Sequence, residues 1–290
     1  MSEWAKGIVT WRESIYLCVS VPFTWLLKDA RAFCLQHPSE QIVVGGPAVR
    51  LLPNYLATIP NVVSAPTFIP DNPLRRANPN ATRTTSGCPN SCPFCGVETI
   101  EGKYTEILDW RVAPVLCDSN FLASSDRHFN QVIDRLKQAD FDEVDFNQGL
   151  DARLFTRARA SRLAEIRIRP RFAWDNAGDE AALFKAVETA KSVGLPVSRL
   201  PVYCLVGWQE TPEEAQYRLE LLKERHLRGF AMRYQPLDTL EKNSYWPSRW
   251  DPDLLKDFIH YWNRQAWLGG MTLDEYRAGA IDARQAALAL

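Results

Sequence analysis

Residues 85–98 read TSGCPNSCPFCGVE and place Cys88, Cys92 and Cys95 within eight positions. At i, i+4 and i+7 the three thiols would form one stripe of a helix. Pro93 forbids that helix, because an interior proline removes a backbone donor and clashes with the preceding turn. The segment therefore has to be a loop whose thiols converge on something. Two chemistries suit such a loop. A structural zinc site is closed and four-coordinate, so it would need a fourth ligand from elsewhere, with Cys117, Cys204 and His128 as candidates. An iron–sulfur cluster usually takes four thiolates, so three leave one iron open to a non-protein ligand. An open iron is what a cofactor-cleaving enzyme requires.

The rest of the sequence says what must hold this loop. The chain has 290 residues, seven cysteines and a formal net charge of −1. That charge argues against a general polyanion binder. The start, MSEWAKGIVTWRES, lacks the order of a signal peptide, and the apolar run YLCVSVPFTWLL is too short to span a bilayer and is broken by Pro22. The expectation is a cytoplasmic protein without membrane association, whose thiols are reduced and point to metal or catalysis before disulfides. From residue 80 onward, strand patterns at 81–86, 113–117, 143–147, 166–172, 199–206 and 230–235 alternate with amphipathic helical stretches. Ser125 caps a helix with Phe129, Val132, Ile133 and Leu136 on one face, Gly194 ends another, and Thr211-Pro212-x-Glu214 forms a capping box for a third. Six strands with intervening helices imply parallel βα units, as an open sheet or a partial barrel, with chemistry beyond the carboxyl ends of the strands.

The C-x3-C-x2-C run with an aromatic before its last cysteine, CPNSCPFC, resembles the signature of the radical S-adenosylmethionine (radical SAM) superfamily. VLCDSNFLAS, VDFNQGLDARLFT, FAWDNAGDE and YCLVGWQETPEEA are similar, in order and spacing, to successive strand ends of its cobalamin-associated branch. The resemblance implies a partial (β/α)6 TIM-like barrel in which Cys88, Cys92 and Cys95 bind three irons of a [4Fe-4S] cluster and SAM chelates the fourth. It also implies that Phe94 lies beside the adenine and that Asp118 and Asn120 hold the methionine part of SAM. Asp175 and Asn176 stand where the family usually has Glu-Ser, and Gly207 allows close backbone approach to a ligand. An external one-electron donor of the flavodoxin or ferredoxin type is implied as a partner.

The expected organisation is a small α/β unit over 1–75, a radical SAM core over 76–245 and a helical C-terminal extension over 246–290. QIVVGGPAVRLLPNYL is similar to the last strand and helix of a cobalamin-binding domain. The unit is short for such a domain, and the chain lacks the D-x-H-x-x-G run whose histidine ligates cobalt, so no cobalamin is expected. Seven arginines lie between Arg153 and Arg171. Most read as a solvated helix face, whereas Arg153 and Arg171 lie near strands and are candidates to point inward. Tyr245, Trp246, Trp250, Trp262 and Trp267 read as core under a terminal helix. Cys18, Cys34, Cys117 and Cys204 read as small buried hydrophobes. The function implied is reductive cleavage of SAM to a 5′-deoxyadenosyl radical that abstracts hydrogen from an unidentified substrate, whether small molecule, nucleotide or peptide. The rival is a non-catalytic, zinc-stabilised module that contacts nucleic acid through its arginines.

Overall fold

A computed structural model describes residues 4–64, 73–198 and 200–279. Its first sheet begins where Ser14 takes a left-handed turn at φ 53°. This turn folds β1 (Val9–Glu13) back antiparallel on β2 (Tyr16–Ser20). β3 (Gln41–Gly45) pairs parallel with β2, and β4 (Val62–Ser64) pairs parallel with β3. Helices α1 (Leu27–Leu35) and α2 (Pro47–Leu51) cover one face. There Leu17, Val19, Ile42 and Val44 of the strands pack with Leu27, Ala30, Cys34 and Val49 of the helices. On the other face Trp11 packs against Cys18 and Val43. The helical pattern AVRLLPNYLAT over 48–58 is helix only as far as Leu51, because Leu52 precedes Pro53 and is driven out of the helical region. Between β3 and α2 sits Gly46 at φ +98°, where a Cβ would lie 2.8 Å from both the amide and the carbonyl of Val21.

The Pro- and Asn-rich stretch over 66–81, whose composition reads as a linker, contains a short helix, α3 (Pro73–Ala77), while residues 65–72 lie outside the described residues. Next come β5 (Ala81–Thr82), β6 (Thr85–Ser86), α4 (Val97–Glu101), β7 (Thr105–Glu106), β8 (Val115–Leu116), α5 (Asp126–Ala139) and β9 (Val144–Phe146). The single strand expected over 81–86 divides. β5 joins a parallel ladder with β8 and β9, whereas β6 leaves it to pair antiparallel with β7. α5 starts as its sequence requires, with the Ser125 hydroxyl accepting from the His128 amide. Its buried Phe129, Val132, Ile133 and Leu136 form the face that the pattern marks. All these elements, with Gln235–Ser244, make one compact unit that runs to Gln148.

Gly149–Tyr234 and the chain from Tyr245 onward make a second unit. It holds α6 (Arg157–Leu163), β10 (Ile168–Arg169), β11 (Phe172–Ala173), α7 (Glu180–Ser192), β12 (Pro201–Val206), α8 (Pro212–Glu224), β13 (Arg228–Arg233) and α9 (Pro252–Asn263). β11, β12 and β13 are parallel, in register Phe172↔Val202↔Gly229. The strand expected over 166–172 is interrupted at Pro170, which has no N–H to give a ladder. α8 carries both arms of the Thr211/Glu214 capping box. Of the aromatics expected as core, Trp250 and Trp262 are buried, Tyr245 and Trp267 are half-buried, and Trp246 is exposed. The alanine-rich tail over 280–290 lies outside the described residues. The architecture is thus α/β with parallel sheets. Among the described residues no helix is long and apolar enough to cross a membrane.

Gly46→Ala should destabilise the chain by about 2 kcal/mol or more, because the alanine meets Val21 backbone and adopts a dihedral that only glycine tolerates. Urea unfolding of the two proteins side by side measures the difference.

Candidate functional site

In the first unit the chemistry-bearing loop is built around two carboxylates. Asp118 lies two residues past β8, ahead of the turn at Ser119–Asn120, and is 3% exposed. Its Oδ1 accepts from the amides of Thr84 and Thr85, both at 2.6 Å, and from the Thr85 hydroxyl at 3.2 Å; its Oδ2 accepts from the Thr84 hydroxyl at 3.1 Å. Burial pushes the Asp118 carboxyl above the usual range, while the four donors pull the other way. The Thr84 carbonyl in turn accepts from Nε2–H of His128 at 2.9 Å. The second carboxylate, Glu101, closes α4. It accepts from Arg83 Nη1 at 2.7 Å, from the Gly87 amide at 2.7 Å and from the Ser119 hydroxyl at 2.9 Å.

Between these supports run the three cysteines. Cys88 and Cys92 are half-buried and Cys95 is exposed, and all three are thiols. The Cys95 amide donates to the Cys92 carbonyl at 3.0 Å, which turns the loop ahead of α4. The Asn120 side-chain amide donates to the Cys88 sulfur at 3.5 Å. Phe94 is half-buried between the second and third thiols. Among the described residues no three His, Cys, Asp or Glu side chains form a group that could hold a single metal ion. Open thiols on a loop, one of them already receiving a hydrogen bond to sulfur, fit a cluster's requirements. Of the candidates for a fourth zinc ligand, Cys117 and Cys204 have thiols pushed up to about 12 by burial, and His128 gives Nε2–H to Thr84.

The second unit places its candidate residues at the carboxyl ends of β11 and β12. Asp175 accepts from the Leu205 amide at 3.3 Å, and burial raises its carboxyl. Gly207 follows β12 at φ +88° and gives its amide to Glu210 Oε1 at 2.6 Å. Arg218, 3% exposed on α8, donates to the carbonyls of Trp174 and Leu205 and lies 3.7 Å from Glu210. A cavity of about 420 Å³ beyond β12 is lined by Trp208, Glu210, Tyr245, Pro247 and Arg249 among others. Arg153 is exposed and forks its own neighbour, Asp151, through Nε and Nη2, each at 2.8 Å. Arg171 is half-buried and donates to the Tyr203 hydroxyl at 3.0 Å.

The structure therefore joins Cys88, Asn120 and Asp118 through one strand end. It gives Asp118 four donors within the protein, and through them the carboxylate clasps the loop's root. Glu101 and Arg218 have no counterpart in the sequence reading. Arg218 had a signal, a cation on the apolar stripe of α8 between Ala215, Leu219 and Leu222. Glu101 had none, because its partners lie in segments that only the fold brings near.

Over most of its length this α/β fold resembles that of solved radical SAM enzyme structures. One is described as the radical S-adenosylmethionine methyltransferase TsrM from Kitasatospora setae with cobalamin and a [4Fe-4S] cluster bound. The match has a TM-score of 0.56 and 14% identity, and covers 78% of this chain and 66% of that one. A second structure of the same enzyme, with tryptophan substrate and a SAM analogue (aza-SAM) bound, matches at a TM-score of 0.54 and 14% identity, over 78% and 65% of the two chains. The chain thus spans just under two thirds of that enzyme's length. No protein-family model matches the chain, and no curated protein matches its sequence.

Asp118→Ala strands two buried amides and should lower stability by about 2–6 kcal/mol, at about 1–3 kcal/mol per orphaned donor. Asp118→Asn keeps an acceptor for both amides and should lose much less. A carboxyl raised by folding contributes fully below its unfolded pKa, and that contribution is lost as pH rises through the folded value. The asparagine variant, which cannot ionise, should therefore show a flatter decline over that window. Urea unfolding of the iron-free proteins across the acid range checks both outcomes.

Proposed function

We propose that the chain is a radical SAM enzyme, with the family's partial barrel as its frame. The observation that carries this reading is the loop of Cys88, Cys92 and Cys95. It stands past the carboxyl end of a parallel strand, and an amide is aimed at its first sulfur. The fold likeness to a radical SAM methyltransferase supports it. Cys88, Cys92 and Cys95 would hold a [4Fe-4S] cluster. When bound, that cluster supplies the electron that cleaves SAM to methionine and a 5′-deoxyadenosyl radical, which takes a hydrogen atom from the substrate.

The chain's own residues perform the remaining tasks. Asn120 places a donor on the Cys88 sulfur, which fixes that thiolate's orientation and eases its negative charge. Asp118 and Glu101 hold the loop's root. In the second unit, Asp175 and Gly207 carry the family's cofactor contacts, with Arg218 fixing the strand ends on which they stand. The reading requires a one-electron donor of the flavodoxin or ferredoxin type, and it leaves the substrate class open.

Chain purified without oxygen should be brown, with iron and acid-labile sulfide in equal amounts. With SAM and a chemical reductant it should release 5′-deoxyadenosine. Cys88→Ala, Cys92→Ala and Cys95→Ala should each abolish that product, whereas Cys34→Ala, in the first sheet's core, should keep its iron. Colourless protein with stoichiometric zinc would instead establish the metal-stabilised binding module.

Cobalamin is not part of the proposal, because no D-x-H-x-x-G run offers a histidine to cobalt. Equilibrium dialysis should find no retained cobalamin and no change in SAM cleavage on its addition. Stoichiometric retention would overturn this part of the proposal and align the chain with its structural neighbour, whose structure holds bound cobalamin.

A further inference from the structure

The cysteine loop is closed at a neck. Gly87 enters it and Glu101 leaves it, 14 residues further on, and the Gly87 amide donates to Glu101 Oε2 at 2.7 Å. The backbones also approach closely there, since a Cβ on Gly87 would lie 2.7 Å from the Gly102 carbonyl oxygen. The other oxygen, Oε1, takes Arg83 Nη1 at 2.7 Å and the Ser119 hydroxyl at 2.9 Å. The Glu101 side chain is only 7% exposed. One carboxylate therefore ties the strand before the loop, the loop's first residue and the turn beside Asp118.

We propose that Glu101 is the positioning residue that keeps this neck shut, and that it thereby sets how firmly the three thiolates retain what they bind. The second half of the proposal rests on the reading of Cys88, Cys92 and Cys95 as cluster ligands. The first half does not. Glutamate is the side chain that meets the geometry. Aspartate is one methylene too short to reach all three donors. Glutamine has one acceptor oxygen, so its amide group must face either the Gly87 N–H or the Arg83 guanidinium, donor against donor. A buried charge-assisted contact of this kind is among the stronger hydrogen bonds a protein makes.

The test uses Glu101→Gln and Glu101→Ala with two readouts. In the metal-free chain, amide hydrogen exchange of peptides covering 87–96 should speed up by about tenfold or more in the alanine variant and by less in the glutamine variant. Peptides from β5, β8 and β9 should stay as protected as in the parent. In chain loaded with iron and sulfide under nitrogen, release of iron to a chelator should speed up in the same order, with an altered electron paramagnetic resonance line shape after reduction. Unchanged exchange of 87–96 in both variants overturns the neck. So does a loss of protection that extends through β5, β8 and β9 in the glutamine variant, because Glu101 would then be supporting the whole unit. Faster loop exchange with unchanged iron release overturns the link to retention. If the parent itself never holds iron while the loop exchange behaves as expected, the neck stands and the cluster reading falls.

Discussion

A carboxylate taken out of water must find donors or lose its charge, and Asp118 is buried at the end of a two-residue strand. Its donors are two consecutive residues, Thr84 and Thr85, each giving both amide and hydroxyl. Satisfying all four fixes the path of the chain just after β5. The backbone cannot continue along the parallel ladder. It turns under Asp118 and re-pairs antiparallel with β7. The cysteine loop starts at Gly87, directly after that pairing, so its origin is set to within a hydrogen bond by a residue more than thirty positions later in the chain.

The second unit solves the same problem with the opposite charge. Arg218 reaches from α8 to the carbonyls of Trp174 and Leu205, the groups left open where β11 and β12 end. Asp175 takes the Leu205 amide from the other side. In each unit a buried ion ties off the carboxyl ends of parallel strands with backbone partners. Loops that spring from such ends inherit a rigid base, which is what lets an exposed thiol or a glycine hold a fixed position.

What could be read from sequence follows the range of the interactions concerned. The Ser125 cap and the Thr211/Glu214 box involve residues three apart, and both form as their sequences require. β12 is legible because every second one of its six residues is buried, and β13 because burial alternates over its first four. β1 was missed: VTWRE reads as a polar start, and it becomes a strand only because Trp11 finds Cys18 and Val43 across the sheet. The strands over 81–86 and 166–172 look continuous by composition, yet Asp118 divides the first and Pro170 the second. At Asp118, residue type and position show that a carboxylate closes this strand, but which donors it meets within the protein is decided by tertiary structure.

Burial also sorts the seven cysteines without appeal to any motif. A thiol must lose its proton to ligate iron or zinc, and a dry environment opposes that loss. Cys18 and Cys34 lie in the first sheet's core and are raised by burial. Cys117 and Cys204 are raised further, to about 12. Cys117 is next to Asp118, so its sequence position is as favourable as any, but the surrounding core keeps it protonated and inert. Cys88, Cys92 and Cys95 are the three with access to solvent, and they lie on one short loop held at both ends. The same burial that stabilises the sheets therefore leaves one set of thiols fit to bind metal, and the two carboxylates that secure the strand end fix where that set stands.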